Sequence, residues 1–182
     1  MKYVALLRGI NVGGNNLMRM ADIRACLETR DFECVSTYIN SGNVLFESDE
    51  SNTAQLTAAM EKAFSETFGR ETPVFVRSQR QLKKIVADAP RQWKNGGGTL
   101  RQNVAFLRKP LTANKAVAGI ELKPGVDSIK AGDGVVYLST VMARAAQSRL
   151  PKIVGTPMYR DITIRTYGTC EKILALMDSD RA

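Results

Sequence analysis

Apolar residues recur along this chain with two alternating periods. Tyr3-Val4-Ala5-Leu6-Leu7 is a short continuous apolar run and predicts a strand over Lys2–Arg8. Met20, Ile23 and Leu27 fall at i, i+3 and i+7, which predicts a helix over Met20–Arg30. Val35, Thr37 and Ile39 alternate on one face of a strand over Cys34–Ile39, and the turn Asn40-Ser41-Gly42-Asn43 leads into a hairpin partner, Val44–Ser48. Leu56, Met60, Ala63 and Phe64 form one stripe of a helix over Thr53–Phe68, stopped by Gly69. A strand over Thr72–Arg77 and a helix over Gln79–Ala89, closed by Pro90, complete a β-α-β-β-α-β order with one further helix.

The second half repeats this order. Strands are predicted at Asn103–Arg108, Val126–Lys130, Val135–Thr140 and Ile162–Thr166. Helices are predicted at Thr112–Gly119 and Thr169–Met177, with Ala143–Val154 partly helical and broken at Pro151. The residues repeat as well. Val4-Ala5-Leu6-Leu7-Arg8 returns as Val104-Ala105-Phe106-Leu107-Arg108, Gly42–Ser48 returns in outline as Gly134–Thr140, and Val76-Arg77-Ser78 returns as Ile164-Arg165-Thr166. Three segments recurring in order predict an α+β chain of two tandem βαββαβ, ferredoxin-like subdomains, each followed by a helix, as an internal duplication. The first covers residues 1–89 and the second 103–182, with 90–102, including Gly96-Gly97-Gly98, as a linker.

A right-handed first crossover makes strands one and two parallel, so the loop after strand one lies at the same sheet end as the first hairpin turn. Arg8, Gly9, Asn11, Gly13, Gly14, Asn15 and Asn16 therefore meet Asn40, Ser41, Gly42 and Asn43, and Gly69 and Arg70 join them. Side-chain amides both donate and accept, and glycines let a ligand approach backbone N–H groups, which suits an anion. Turn chemistry alone accounts for Asn40–Asn43. The first loop is longer and richer in glycine than a strand-to-helix link requires. It lacks the Gly-x-Gly-x-x-Gly spacing of dinucleotide folds and the Gly-Lys-Ser/Thr ending of a P-loop. By the same topology, Lys109–Thr112 lies beside Gly132-Asp133 in the second half.

Composition changes this picture in two ways. The chain of 182 residues has no histidine, which excludes Ser-His-Asp and Cys-His catalysis and imidazole acid–base work within it. Its three cysteines, Cys26, Cys34 and Cys170, lack zinc or disulfide spacing, and nothing in the sequence calls for a metal or cofactor. Charge is also uneven. Residues 1–90 hold 11 Lys and Arg against 11 Asp and Glu, whereas residues 91–182 hold 15 against 7. The basic half either attracts an anionic partner through Arg101, Arg108, Lys109, Arg144, Arg149, Lys152, Arg160 and Arg165 or forms a solvated face. No apolar run approaches the roughly 20 residues of a spanning helix, so the sequence reads as a cytoplasmic protein with no membrane partner.

Tyr3–Asn16, Met20-Ala21-Asp22-Ile23-Arg24 and Thr37–Phe46 resemble the bacterial domain-of-unknown-function family 1697. Arg165-Thr166-Tyr167-Gly168-Thr169 resembles its closing Arg-Asn-Trp-Asn-Thr segment, with Thr166, Tyr167 and Gly168 in place of Asn-Trp-Asn. The resemblance implies two similar α+β subdomains and no established activity. Its motif maps onto Arg8, Gly9, Asn11, Gly13 and Gly14, onto Tyr38, Ser41, Gly42 and Asn43, and onto Arg165 and Thr169.

Three functions remain open from sequence. The first is binding, or turnover, of a small anionic or phosphorylated ligand at the Gly/Asn loops. The second is a protein–protein interaction module without catalytic role. The third, ranked last, is binding of RNA or single-stranded nucleic acid, for which strand aromatics Tyr3, Phe46, Phe106 and Tyr137 would have to be open for stacking.

Overall fold

The computed structural model describes residues 1–11, 17–95 and 98–179. Strand β1 (Lys2–Leu7) is buried from Tyr3 onward on both faces. It is followed by α1 (Met20–Glu28), β2 (Glu33–Tyr38), β3 (Asn43–Glu47), α2 (Thr53–Phe68) and β4 (Val74–Ser78). α2 starts on an Asn52 side chain that accepts from Ala54 N, and it ends at Gly69 in the left-handed region at φ 66°. The four strands form an antiparallel sheet in the order β2-β3-β1-β4. One face of this sheet packs Tyr3, Ala5, Leu7, Val44, Phe46, Val74 and Val76 against Ile23 and Leu27 of α1 and Leu56, Met60 and Phe64 of α2.

α3 (Gln79–Ala87) and α4 (Arg91–Asn95) precede β5 (Leu100–Leu107). The segment Pro90–Gln102, expected to be a linker, therefore carries a helical turn and the start of a strand. α5 (Ala113–Gly119), β6 (Asp127–Gly132), β7 (Val135–Val141), three 3-10 turns spanning Met142–Asp161, β8 (Ile162–Thr166) and α6 (Tyr167–Asp178) complete the order. This sheet is also antiparallel, ordered β6-β7-β5-β8. Its core joins Ala105, Leu107, Val136, Leu138 and Ile162 to Ala116, Leu150 and Ile153. A 3-10 path replaces the second crossover helix because Pro151 and Pro157 interrupt an α-helical ladder and leave only short turns.

The two sheets share one register. Val4 pairs with Leu45 and Arg77, and Val104 pairs with Tyr137 and Arg165, the positions aligned by the sequence repeat. Leu7 N donates to Gly42 O and Leu107 N to Gly134 O, while Arg8 N donates to Pro73 O and Arg108 N to Asp161 O. Two compact units result, Met1–Leu82 with Ile173–Ala182, and Lys83–Lys172, with the divisions falling inside α3 and α6.

Candidate functional site

In the first unit, the loop after β1 and the β2–β3 turn do meet at one sheet end. Leu7 N bonds to Gly42 O at 2.7 Å, and Arg8 N bonds to Pro73 O at 2.9 Å, which fixes where the loop leaves the sheet. Gly9 at φ 71° and Asn11 at φ 54° then turn the chain back through the left-handed region. The Asn11 carboxamide ties the loop: Nδ2 donates to Met18 O (2.9 Å) and to Asn40 O (3.1 Å), and Oδ1 accepts from Met18 N (2.8 Å). Arg70, just beyond α2, donates from Nη2 to Leu17 O at 3.0 Å. Gly13, Gly14, Asn15 and Asn16 lie outside the described residues.

The hairpin turn is equally specified. Asn43 is fully buried, and its Nδ2 donates to Tyr38 O (3.0 Å) and Ser41 Oγ (3.1 Å). A Cβ on Gly42, at φ 78°, would sit 2.7 Å from Ile10 Cδ1 and 2.9 Å from Leu7 Cβ, so only glycine lets the turn close on β1. Asn43 thus directs its amide into its own turn, and Asn11 directs its amide onto Met18 and onto Asn40 of the hairpin. Gly9, Asn40 and Ser41 remain exposed, with Arg8 half-buried beside them. Two exposed apolar side chains flank the same end, Leu17 (73%) and Ile39 (48%).

The corresponding end of the second unit differs. Its strand-to-helix connection is short, and an open cleft of about 470 Å³ lies between Arg108–Asn114 and Ala131–Gly134. Arg108 Nε pairs with Asp161 Oδ1 at 3.2 Å, and Arg160 Nε approaches the other oxygen of the same carboxylate at 3.4 Å. Asp161 had no counterpart in the first copy, where Pro73 occupies its place, so the repeat carried no signal for it.

Most of the expected basic face is exposed but internally engaged. Arg149 and Lys152 share Glu121, which these cations hold below its ordinary pKa. Arg144 donates to Gly125 O, and Lys109 and Arg101 are exposed. Arg165 departs from the expected basic face. It is buried, and its Nη1 donates to Thr163 Oγ1 (3.0 Å) and Ile164 O (2.9 Å) instead of facing solvent. Burial pulls its pKa down to about 10, against the opposing influence of Cys170 and Tyr159. Burial also pushes the Cys170 thiol up to about 12, so it is no thiolate nucleophile near neutral pH.

The aromatic residues offered for base stacking are all enclosed: Tyr3, Phe46, Phe106 and Tyr137 are each 2% exposed or less. Tyr3 stacks on Phe46 (5.4 Å), and Tyr137 stands edge-on to Trp93 (5.7 Å). Among the described residues, no helix is long and apolar enough to cross a membrane, and no group of three His, Cys, Asp or Glu could hold a metal ion.

Residues 1–137 match the family described as protein of unknown function, DUF1697, and the chain belongs to that family. The match contains both loops of the first unit and the cleft of the second. The Arg165–Thr169 segment lies beyond it. Among solved structures, a conserved bacterial protein from Streptococcus pneumoniae is similar, with 28% identity, 97% of this chain and 98% of that chain covered, and a TM-score of 0.84. No curated protein matches the chain.

Proposed function

We propose that this DUF1697 member is a cytoplasmic protein that binds a small anionic or phosphorylated ligand where the first loop meets the β2–β3 turn. The observation that carries this reading is the bridge made by Asn11, which joins Met18 to Asn40 and so holds both ends of the connection after β1 against the hairpin. Arg8, Gly9, Asn40 and Ser41 are the groups placed to meet a ligand there: Arg8 supplies one positive charge, and the uncharged donors hold an anion without adding further protein charge. Asn11 and Asn43 position them. Each sheet with its helices is read as a ferredoxin-like unit arising by duplication, residues 1–89 and 103–182. The strand orders and the repeat-matched registers support that reading.

Thermal-shift screening of nucleotides, sugar phosphates and dicarboxylates tests it. A ligand at one hundred times its Kd stabilises by about 2.7 kcal/mol, a readily measured rise in Tm. Ser41→Ala should remove that rise, and because Ser41 Oγ also accepts from Asn43 Nδ2, the shift is read against the variant's own ligand-free Tm. A complete absence of shifts across the screen would count against the reading.

A second reading, a protein–protein contact, is favoured by Leu17 and Ile39, which expose apolar surface at the same end. The double variant Leu17→Ser, Ile39→Ser would abolish such a contact and leave anion binding intact. Nucleic-acid binding ranks last, because the buried strand rings offer no stacking platform.

A further inference from the structure

We propose that the cleft of the second unit is a separate binding site for a small hydroxylated anion, a phosphomonoester or a hydroxycarboxylate. It rests on different residues from the loop cluster of the first unit and stands whether or not that cluster binds anything.

Repeat-equivalent positions make the contrast. In the first unit, Ile10 covers the turn so closely that Gly42 has no room for a Cβ. The loop's return is then locked by Asn11 on Met18. In the second unit the chain passes from Leu107 at the end of β5 to Ala113 at the start of α5 in five residues, and the space stays open as a cleft of about 470 Å³. That volume lies within the range of small-ligand pockets.

The lining has a polarity. Arg108 and Lys109 stand on one wall, Asp133 on the β6–β7 turn, and Leu111 and Ala131 supply apolar surface. Arg108 is braced by Asp161 at 3.2 Å, so its guanidinium is oriented before any ligand arrives. Asp161 also faces Arg160, which leaves the Arg108, Arg160 and Asp161 cluster with a net positive charge. Lys109 is exposed, unlike buried Arg165, and adds a second cation on the same wall. A carboxylate or phosphate would sit against Arg108 and Lys109, and a hydroxyl a few ångströms away would donate to Asp133. A simple dianion without a donor would meet Asp133 unfavourably.

Titration of the ¹⁵N-labelled full chain with glycerol 3-phosphate and, separately, with glycerate tests this. Both probes carry an anion and hydroxyls, and whichever binds defines the anionic group. The expected result is saturable amide shifts confined to Arg108–Asn114 and Ala131–Gly134. Lys109→Gln should weaken binding about tenfold or more, as expected for loss of a charge-assisted hydrogen bond. Ala131→Leu keeps every charge and narrows the cleft, and it should abolish the saturable shifts. Both positions are exposed, so unchanged resonances elsewhere certify the fold. No saturable shift with either probe overturns the proposal, as does undiminished binding to Ala131→Leu, which would reveal charge attraction without a shaped site.

Discussion

Asn11 bonds to the backbone of Met18 in both directions, donating to its carbonyl at 2.9 Å and accepting from its N–H at 2.8 Å. A side-chain amide here does what a neighbouring strand would do, closing the loop as one extra rung. Its second amide hydrogen reaches Asn40 O at 3.1 Å, so one residue couples the loop to the hairpin.

Asn11→Ala should therefore cost about 1–3 kcal/mol, because it leaves Met18 N–H and two carbonyls without this partner. It also forces a less tolerant residue to φ 54°. Asn11→Gly accepts that φ and isolates the hydrogen-bond loss. Urea denaturation of both variants, with exchange of the buried Met18 amide, separates the two contributions. Equal stability of all three proteins would show that the clamp contributes nothing.

Gly9 and Gly42 predict unequal costs for one substitution. Both hold positive φ, 71° and 78°, but a Cβ at Gly9 meets open space whereas one at Gly42 meets Ile10 and Leu7. Gly9→Ala should destabilise by about 1 kcal/mol, the cost of a left-handed alanine. Gly42→Ala should cost about 2–4 kcal/mol, since overpacking adds to it. Ile10→Val should recover part of the second loss and none of the first, as measured by denaturant midpoints at unchanged m-value.

These loops mark the limit of what the sequence disclosed. Helix Thr53–Phe68 was legible to the residue, because its apolar stripe is regular and Gly69 stops it. The convergence of Gly9 with Asn40–Asn43 followed from crossover handedness alone. That Asn11 and Asn43 turn their amides onto backbone and hydroxyl groups did not follow, since the two look alike in sequence whether they bind a ligand or close a turn. Arg165 alternates in its strand as an exposed residue could, and only long-range packing shows that its face is covered. Trp93 lies in a Gly-rich stretch that predicts a linker, yet its ring lies edge-on to Tyr137 and Tyr167, far along the chain.

Trp93 is the sole tryptophan and is buried, so its fluorescence reports on the second unit without labelling. Tyr137 beside it donates to Ile85 O at 2.8 Å, and burial followed by nearby Asp88 pushes its phenol pKa up, keeping the donor protonated. Tyr137→Phe keeps the edge-on ring contact and removes that bond. We expect a loss of about 1–2 kcal/mol with an unshifted native emission maximum. A red-shifted native spectrum would mean that the hydroxyl, more than the rings, seats Trp93.

Asp127 predicts an acid-dependent stability. Burial alone would raise its pKa, but bonds from Ser148 Oγ (2.6 Å), Arg149 N (2.9 Å), Lys123 N (3.0 Å) and Thr140 Oγ1 (3.1 Å) outweigh it and hold the carboxyl below its ordinary value. A lowered folded pKa means the stabilisation is full above the unfolded value, about 3.9, and is lost as pH falls through the folded one. Asp127→Asn should cost about 2–3 kcal/mol near neutral pH, and the gap to the wild-type chain should narrow below about pH 4. A gap independent of pH would place the effect in packing of the 3-10 segment.

Ile39 tests whether backbone strain at the hairpin is retained for contact with a partner. A β-branched residue at φ 49° is unfavourable by roughly 1–2 kcal/mol, and with its side chain 48% exposed Ile39 regains little of that by burial. Ile39→Asn, suited to the left-handed region, should therefore stabilise the chain by about 1 kcal/mol in thermal and urea unfolding. Local hydrogen bonds at Tyr38 and Asn43 would persist, because they use the Tyr38 carbonyl and the Asn43 side chain. A stabilised variant that also loses self-association or partner capture would show that the exposed isoleucine is kept for contact. A variant no more stable than wild type would mean that Ile39 makes up the strain by packing.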